Sequence, residues 1–325
     1  MKAVVYDGEV RCRDIPEPKA TGEAILSVKK AGICGTDLAI ASGQYYVKTP
    51  LVLGHEIFGV VRSAPAASSA PVGKRAVTEI TAACGSCYFC KAGMKSHCAQ
   101  GRALGIHRDG GFAEFVSTPA ENLHLVPDVI SDEEAVFIEP LAACVQLLRV
   151  GNVAEGSTCA VVGTGRMGLL LLQLLKLTNP ALLVAVGRAG KKLEAARGLG
   201  VLTFGVEEVV KALALTGGAG FDNVIEATGG PSGIALALSM VKPRGTLHLK
   251  STHGVPVEMD VTKVVVDEVR LQGSRCGPFE DAIQLLVQEK VKVRGLITDR
   301  FPLDRCREAM ETAGSRSSIK TIFEI

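Results

Sequence analysis

The chain has 325 residues, with 36 Lys and Arg against 34 Asp and Glu and a net charge of +2. Its 47% hydrophobic content argues against disorder, and its scattered charges form no basic stripe for nucleic acid. A chain of this length is usually too long to fold around a single hydrophobic core, which favours two domains. No apolar run is long enough to span a bilayer, and the N-terminus does not resemble a signal peptide. We therefore expect a soluble, two-domain cytoplasmic protein that binds neither nucleic acid nor membranes.

Residues 1–150 contain short alternating apolar runs broken by Gly and Pro, as at positions 24–28, which predicts a mostly β region. Three dispersed residues of this region could form a catalytic metal site. Cys34, His55 and Glu139 would supply a thiolate, an imidazole and a carboxylate, and a catalytic zinc needs about three protein ligands and one open position. Each residue alone is more often a packed core residue than a ligand.

Four cysteines form the strongest motif of the chain. Their spacing is C-x2-C-x2-C-x7-C, within one loop-forming segment: Cys84, Cys87, Cys90 and Cys98. Four thiolates from one short loop can close a tetrahedron around a structural zinc. An iron–sulfur cluster is disfavoured because the bacterial motif has a tighter last spacing and a following proline, whereas Ala99 stands here. Unliganded buried thiols are the remaining alternative. The other cysteines are expected to be small buried hydrophobes: Cys12, Cys144, Cys159, Cys276 and Cys306.

From about residue 157 to 276, apolar strands alternate with helical patterns, which predicts βαβ units and a doubly wound parallel sheet. The predicted strands are 158–162, 182–186, 223–227 and 246–249, and the predicted helices are 167–177 and 191–199. The C-terminal stretch is expected to return to the first domain with helices at 280–288 and 305–313 and a strand at 320–325.

A glycine motif follows the first of these strands and opens a helix. Its residues are Gly163, Thr164, Gly165, Arg166, Met167 and Gly168. A lone G-x-G-x-x-G is weak evidence and can be a tight turn, but the strand before it and the helix after it are the context that dinucleotide binding requires. We predict that this loop and the helix N-terminus hold a cofactor pyrophosphate.

Gly187 and Arg188 follow the next predicted strand, 182–186, at the place where NAD-binding proteins normally carry an acidic residue for the ribose 2′-hydroxyl. Arg188, helped by Lys191 or Lys192, could instead pair with a 2′-phosphate. The sequence therefore favours NADP(H) over NAD(H). The alternative is a solvated basic patch at the start of a helix, where cations are unfavourable.

Taken together, these motifs resemble those of the zinc-containing medium-chain alcohol and polyol dehydrogenases, over essentially the whole chain. The resemblance rests on Gly54-His55-Glu56-x-x-Gly59, the four cysteines, the segment from Asp109 to Glu114 and the glycine motif. It implies an α/β protein with a Rossmann domain at 145–276 and a mostly β, GroES-like catalytic zinc domain at 1–144 and 277–325. It also implies a homodimer or homotetramer.

The resemblance further implies roles for single residues. Cys34 and His55 would hold the catalytic zinc, with Glu139 where simple alcohol dehydrogenases have cysteine. Glu56 would either exchange onto the zinc as a ligand or lie behind the ligands without binding the metal. Thr36 would pass on the substrate proton, and Asp37 would orient His55. One departure is Ala39, which stands where many members carry a relay histidine, and this argues against a threonine dehydrogenase.

The predicted function is zinc-dependent hydride transfer between NADP(H) and a secondary alcohol, polyol or sugar. Glu114 and His107 are the nearest candidates in sequence for bonds to extra substrate hydroxyls, although a solvated loop position is the simpler expectation for His107, Arg108 and Lys250. Three alternatives stay open: an inactive nucleotide-binding or regulatory protein of the same fold, a threonine dehydrogenase-like activity, and a simple alcohol dehydrogenase. A zinc-independent quinone or enoyl reductase is disfavoured because those relatives generally lack both ligand sets.

Overall fold

The computed structural model describes residues 1–19, 22–66, 68, 70–252 and 254–325, which form two compact units. The first unit comprises Met1–Ala142, Phe279–Glu289 and Val293–Ile325. The second comprises Ala143–Pro278 and Lys290–Lys292. In the described ranges, no helix combines the length and apolar character needed to cross a membrane.

The strands, in chain order, are β1 (Lys2–Tyr6), β2 (Val10–Asp14), β3 (Ala24–Gly32), β4 (Leu51–Val52), β5 (Glu56–Ser63), β6 (Arg75–Thr78), β7 (Thr81–Ala82), β8 (Arg102–Ala103), β9 (Phe115–Thr118), β10 (Leu123–Leu125), β11 (Thr158–Val162), β12 (Leu182–Gly187), β13 (Leu202–Gly205), β14 (Phe221–Glu226), β15 (Val241–Leu249), β16 (Arg270–Gly273), β17 (Ile297–Pro302) and β18 (Lys320–Glu324). The helices are α1 (Gly35–Ala41), α2 (Tyr88–Lys91), α3 (Asp132–Ala135), α4 (Ile138–Gly151), α5 (Arg166–Lys176), α6 (Lys191–Gly198), α7 (Val209–Ala214), α8 (Ser232–Met240), α9 (Val261–Val266), α10 (Phe279–Val287) and α11 (Cys306–Gly314).

The first unit is built on a sheet of order β10-β6-β5-β3-β18-β17, with β9 also paired to β3. Smaller sheets of order β2-β1-β4 and β7-β8 accompany it. Its apolar core includes Phe112 and Phe323, whose rings meet edge to face at 4.8 Å between centroids. The last strand, β18, pairs with β3 from the N-terminal region, so the two ends of the chain complete one fold.

The second unit is a parallel six-stranded sheet of order β13-β12-β11-β14-β15-β16. Buried Val and Ala residues dominate β11 and β12, as expected for strands covered on both faces. Strand order reverses between β11 and β14, and ligands of open α/β sheets bind at such a switch point, beyond the carboxyl ends of the strands. The predicted Rossmann-type parallel sheet and the predicted mostly β region are both present.

The predicted element bounds differ most at β15, which begins at Val241 rather than at position 246. Val241 pairs with Phe221, and pairing resumes only where Thr246 meets Asn223. Between them Arg244 adopts a positive φ of 62°. The Pro243-Arg244-Gly245 sequence therefore looks like a turn, but it lies within an irregular strand.

Candidate functional site

The first candidate metal site lies where α1 and β5 begin. Cys34 is the N-cap residue of α1, and His55 directly precedes β5. Gly54 has a φ of +96°, and a Cβ atom there would collide with the Phe112 ring. The backbone before His55 therefore requires glycine. This turn brings Cys34, His55 and Glu56 together, with one ligand atom of each within 4.8 Å of the others.

Asp37 holds the two backbone segments that carry Cys34 and His55. It is fully buried, accepts the N–H of Cys34 at 2.7 Å and accepts the N–H of Gly54 at 3.2 Å. Its Oδ1 atom lies 3.7 Å from Nδ1 of His55. Burial raises the pKa of Asp37 to about 6, against the opposing effect of His55.

A buried ion pair lies at the same site, where one of its partners is Glu56. The sequence analysis did not predict this pair. Lys320 of β18 pairs with Glu56, and the two side chains are 0% and 1% exposed. Lys320 also donates to the carbonyl of Ile33 at 3.3 Å. Gly32 leaves the space that the pair occupies, because a Cβ atom there would meet both charged groups. The available signal was the lysine that begins the C-terminal strand, next to Ile319 and ahead of Ile322 and Phe323. Lysine is almost never fully buried unless it is paired.

The donor set fits zinc, because a thiolate, an imidazole and a carboxylate are all zinc ligands. The negative groups of Cys34 and Asp37 outweigh the effect of burial and raise the pKa of His55 to about 9, so a concentrated negative charge is available to a cation. Glu139, in the first turn of α4, also acts electrostatically on His55. Glu139 is not one of the three residues whose ligand atoms converge, so its role as a ligand stays a prediction.

The four cysteines of the predicted structural site also converge. The Sγ–Sγ distances are 3.9 Å for Cys84 and Cys90, 3.5 Å for Cys87 and Cys90, and 3.8 Å for Cys87 and Cys98. A tetrahedral zinc with Zn–S bonds of about 2.3 Å needs sulfurs about 3.8 Å apart. The backbone N–H of Cys84 also donates to Cys98 Sγ at 3.3 Å. The loop can therefore hold one zinc ion with sulfur ligands only.

The predicted dinucleotide loop lies at the switch point of the parallel sheet. Gly163 follows β11 with a φ of +108°, and a Cβ atom there would lie 2.5 Å from the Ala227 carbonyl oxygen. A Cβ atom on Gly168 would collide with the Gly163 carbonyl, so the third glycine permits close packing of helix and strand. Gly165 is the N-cap residue of α5, which begins with Arg166 and Met167. The helix N-terminus can thus face a pyrophosphate.

Three cations cluster beside this loop. Burial and the neighbouring charges of Arg188 and Arg166 lower the pKa of Lys192, which places the three groups within electrostatic reach of one another. Arg188 follows the end of β12, and Lys192 lies in the first turn of α6. Three cations near one another attract an anion. The cluster is able to bind a phosphate group.

Comparison with known proteins adds independent findings. Residues 20–128 match the family described as "Alcohol dehydrogenase GroES-like domain", and residues 167–289 match "Zinc-binding dehydrogenase". The D-arabinitol dehydrogenase 1 of Uromyces fabae is 30% identical over 92% of this chain and 88% of its own. The L-threonine 3-dehydrogenase of Bacillus subtilis (strain 168) is 31% identical over 95% and 93%. The chain belongs to the zinc-containing medium-chain dehydrogenases.

Solved structures agree with this assignment. A zinc-binding dehydrogenase from Sinorhizobium meliloti 1021 bound to NADP superposes with a TM-score of 0.90 at 29% identity, over 100% of this chain and 99% of that one. An alcohol dehydrogenase from E. coli CFT073 complexed with NADH has a TM-score of 0.89 at 29% identity and the same coverage. The dehydrogenase is thus an oxidoreductase of a zinc-binding family, and its relatives include both NADP and NADH complexes.

Several other predicted positions of the dehydrogenase have local partners instead. The Glu114 carboxylate accepts the backbone N–H of Lys2 at 2.7 Å, and His107 Nδ1 accepts the N–H of Ala103 at 3.1 Å. The expectation that Arg108 and Lys250 are merely solvated is wrong. Arg108 pairs with Glu23, and the Lys250 ammonium donates to the carbonyl oxygens of Ala143, Ser274 and Arg275. Both cations therefore have structural partners.

Proposed function

We propose that the chain is a zinc-dependent dehydrogenase that transfers a hydride between NADP(H) and a polyol, a sugar or a secondary alcohol. The observation that carries the proposal is the convergence of Cys34, His55 and Glu56 beside the hydroxyl group of Thr36. The site thus combines a donor set for a Lewis acid with a group that can pass on a proton.

In this proposal Cys34, His55 and Glu139 hold the catalytic zinc, and Glu56 is an exchanging ligand that Lys320 compensates when it is not bound to the metal. Cys84, Cys87, Cys90 and Cys98 hold the structural zinc. Zinc held by these residues would supply a Lewis acid for a substrate oxygen, and a bound nicotinamide would supply hydride chemistry.

The residues of the chain position these groups and move the proton. Asp37 accepts the backbone N–H groups of Cys34 and Gly54 and so holds both ends of the ligand set. The Thr36 hydroxyl lies 3.8 Å from Cys34 Sγ, close to one of the proposed zinc ligands. We assign Thr36 the first proton transfer. Because Ala39 offers no titratable group, the proton then leaves through solvent or another group.

The cofactor proposal assigns the pyrophosphate to the loop of Gly163, Gly165, Arg166, Met167 and Gly168. The 2′-phosphate is assigned to Arg188 and Lys192, and Gly187 leaves this position without a competing carboxylate. Support comes from the clustering of these cations around Lys192. NADP(H) is the proposed cofactor, with NAD(H) bound more weakly.

The substrate proposal rests on Glu139 and on the polyol dehydrogenases among the relatives, such as that of Uromyces fabae. Ala39 disfavours threonine, although the threonine 3-dehydrogenase of Bacillus subtilis is equally similar. We further propose a homodimer or homotetramer in the cytoplasm, where a reducing environment keeps zinc-binding thiols reduced.

The test is a panel of polyols, sugars, secondary and primary alcohols and L-threonine, each assayed with NADP and with NAD by the absorbance of the reduced nicotinamide. We expect the highest kcat/KM for a polyol, sugar or secondary alcohol with NADP. Thr36→Val should lose most of this activity and Thr36→Ser should retain it, because serine keeps the hydroxyl group. Highest efficiency with unbranched primary alcohols or with threonine would refute the substrate class.

A further inference from the structure

Strand β14 ends at the switch point in a fully buried carboxyl group, Glu226. Its Oε1 atom accepts the backbone N–H of Thr228 at 2.7 Å and the hydroxyl of the same residue at 2.6 Å. Its Oε2 atom is equally buried and has no hydrogen-bond partner in the part of the chain that the structure describes. A buried polar oxygen without a partner costs stability, and an apolar side chain would avoid that cost. Stability alone therefore does not explain Glu226.

The carboxyl group shapes the turn that follows it, residues 227–230. The Thr228 hydroxyl accepts the N–H of Gly230 at 3.1 Å, and Ser251 accepts the N–H of Gly229 at 2.8 Å. The turn is thus fixed on one side by Glu226 and on the other by a residue just beyond β15. Gly233 leaves room for this network, because a Cβ atom there would lie 2.7 Å from Glu226 Oε1.

This turn lies directly against the glycine loop. The N–H of Ala227 donates to the carbonyl of Val162 at 2.8 Å, and Gly163 packs on the Ala227 carbonyl group. Any shift of the turn would therefore shift the backbone that is assigned to the pyrophosphate. Thr228 and Gly229 are exposed at the carboxyl edge of the sheet, so the turn forms one wall of the crevice at the switch point.

We propose that Glu226 is a positioning residue of the dinucleotide site, which holds the turn 227–230 against the glycine loop in the shape that binds the cofactor. This inference rests on the proposed function, in which the glycine loop binds NADP(H). It predicts that Glu226 acts on cofactor affinity through Thr228 and not through contact with the reacting atoms.

The same strand offers a matched control at its opposite end. Asp222 accepts the N–H and the hydroxyl of Thr158 at 2.8 and 2.7 Å, as Glu226 does with Thr228. Asp222 lies near the amino end of β14, away from the switch point. Asp222 also pairs with Lys242, so Asp222→Ala removes an ion pair as well as the bonds to Thr158. Both variants remove a carboxyl group that binds a threonine, but only Glu226 borders the crevice.

The experiment measures binding of NADPH by its own fluorescence, together with cofactor KM and kcat. We expect Glu226→Ala to raise the dissociation constant and the cofactor KM about tenfold, with kcat at saturating cofactor within about twofold of wild type. Glu226→Gln retains an oxygen acceptor for Thr228 and should restore most of the affinity. Asp222→Ala should lower the thermal midpoint without changing cofactor affinity.

Amide hydrogen exchange provides a second readout, because Glu226→Ala should speed exchange at Gly229 and Gly230 in the folded protein. If Glu226→Ala does not fold, Thr228→Val tests the same network and should raise the dissociation constant about threefold. Wild-type affinity in the foldable variant, or an equal loss in Asp222→Ala, would overturn the inference. A wild-type chain that binds neither NADPH nor NADH would instead overturn the proposed function.

Discussion

Lys320 and Glu56 form an ion pair that is almost completely removed from solvent, at the point where the C-terminal strand β18 meets the candidate zinc site. Burial lowers the pKa of Lys320 to about 8, with the negative groups of Cys34 and Asp37 opposing that shift. The last strand of the chain thus supplies the countercharge for a residue at the start of β5.

Removing this countercharge should destabilise the fold. Lys320→Met leaves the Glu56 carboxylate buried without its partner, and we expect a loss of about 3 to 5 kcal/mol in the free energy of unfolding. Lys30→Met is the control, because Lys30 pairs with the half-exposed Glu324 and its loss should cost about 1 kcal/mol or less. Urea unfolding followed by circular dichroism measures the stability of both variants. Equal losses of stability would show that the buried ion pair stabilises the fold no more than the exposed one.

The two candidate metal sites should be separable. We expect about two zinc ions per chain, reduced to about one in either Cys98→Ser or His55→Ala. Cys98→Ser opens a site made only of thiolates and should lower the thermal midpoint strongly, whereas His55→Ala should abolish turnover with a smaller effect on folding. Elemental analysis and thermal unfolding test this, with Cys12→Ser as a control that keeps both ions. A wild-type content of one zinc would contradict the proposal.

Arg188 should decide between the two cofactors. A charge-assisted hydrogen bond contributes about 1.5 to 3 kcal/mol, so Arg188→Ala should weaken NADP binding roughly tenfold to a hundredfold and leave NAD binding nearly unchanged. Arg197→Ala, on the last turn of α6, is the control and should change neither affinity. If wild type binds NAD more tightly than NADP, the assignment of this loop fails.

The substitution Gly187→Asp would supply the acidic residue that NAD-binding proteins carry at this position. The structure shows a steric clash there that the sequence does not reveal. A Cβ atom at Gly187 would lie 2.5 Å from Thr164 Oγ1, and Thr164 is a buried, β-branched residue with little freedom to move. We expect Gly187→Asp alone to weaken both cofactors. Gly187→Asp combined with Thr164→Ala should recover NAD binding, and titration of the single and double variants with NADH and NADPH distinguishes these outcomes.

His248 should make the second unit sensitive to acid. Burial lowers its pKa to about 4, and its Nε2 atom is 3.0 Å from the Asn223 side-chain oxygen. Because the folded pKa lies below the unfolded value of about 6.5, the stabilisation is complete above pH 6.5 and is lost as the pH falls towards 4. At pH 5 the loss should be about 2 kcal/mol.

The variant His248→Gln removes this titration. We expect it to lose less stability than wild type between pH 7 and pH 5, measured by urea unfolding at both pH values. His107→Gln, at an exposed position, should keep the acid loss of wild type. Parallel losses in wild type and His248→Gln would assign the acid sensitivity to other groups.

The sequence by itself determined the class of the protein. The spacing of Cys84, Cys87, Cys90 and Cys98 and the glycines at 163, 165 and 168 are local patterns, because each set of residues acts within one loop. The apolar runs of β11 and β12 likewise indicated a parallel sheet, since such strands are buried on both faces. These features need no long-range contact to be recognised.

Only the tertiary structure showed which residues from distant parts of the sequence contact one another. Lys320 lies 264 positions after Glu56 in the sequence. The two charges meet because β3 pairs with β18 on one side and with β5 on the other. Contacts between neighbouring strands of the parallel sheet also explain two other findings. A side chain at Gly187 would collide with Thr164, and the Glu226 carboxyl group lies behind the glycine loop. Residue spacing encodes local geometry, whereas burial and countercharge arise only when distant segments pack, and so they could not be read from the chain alone.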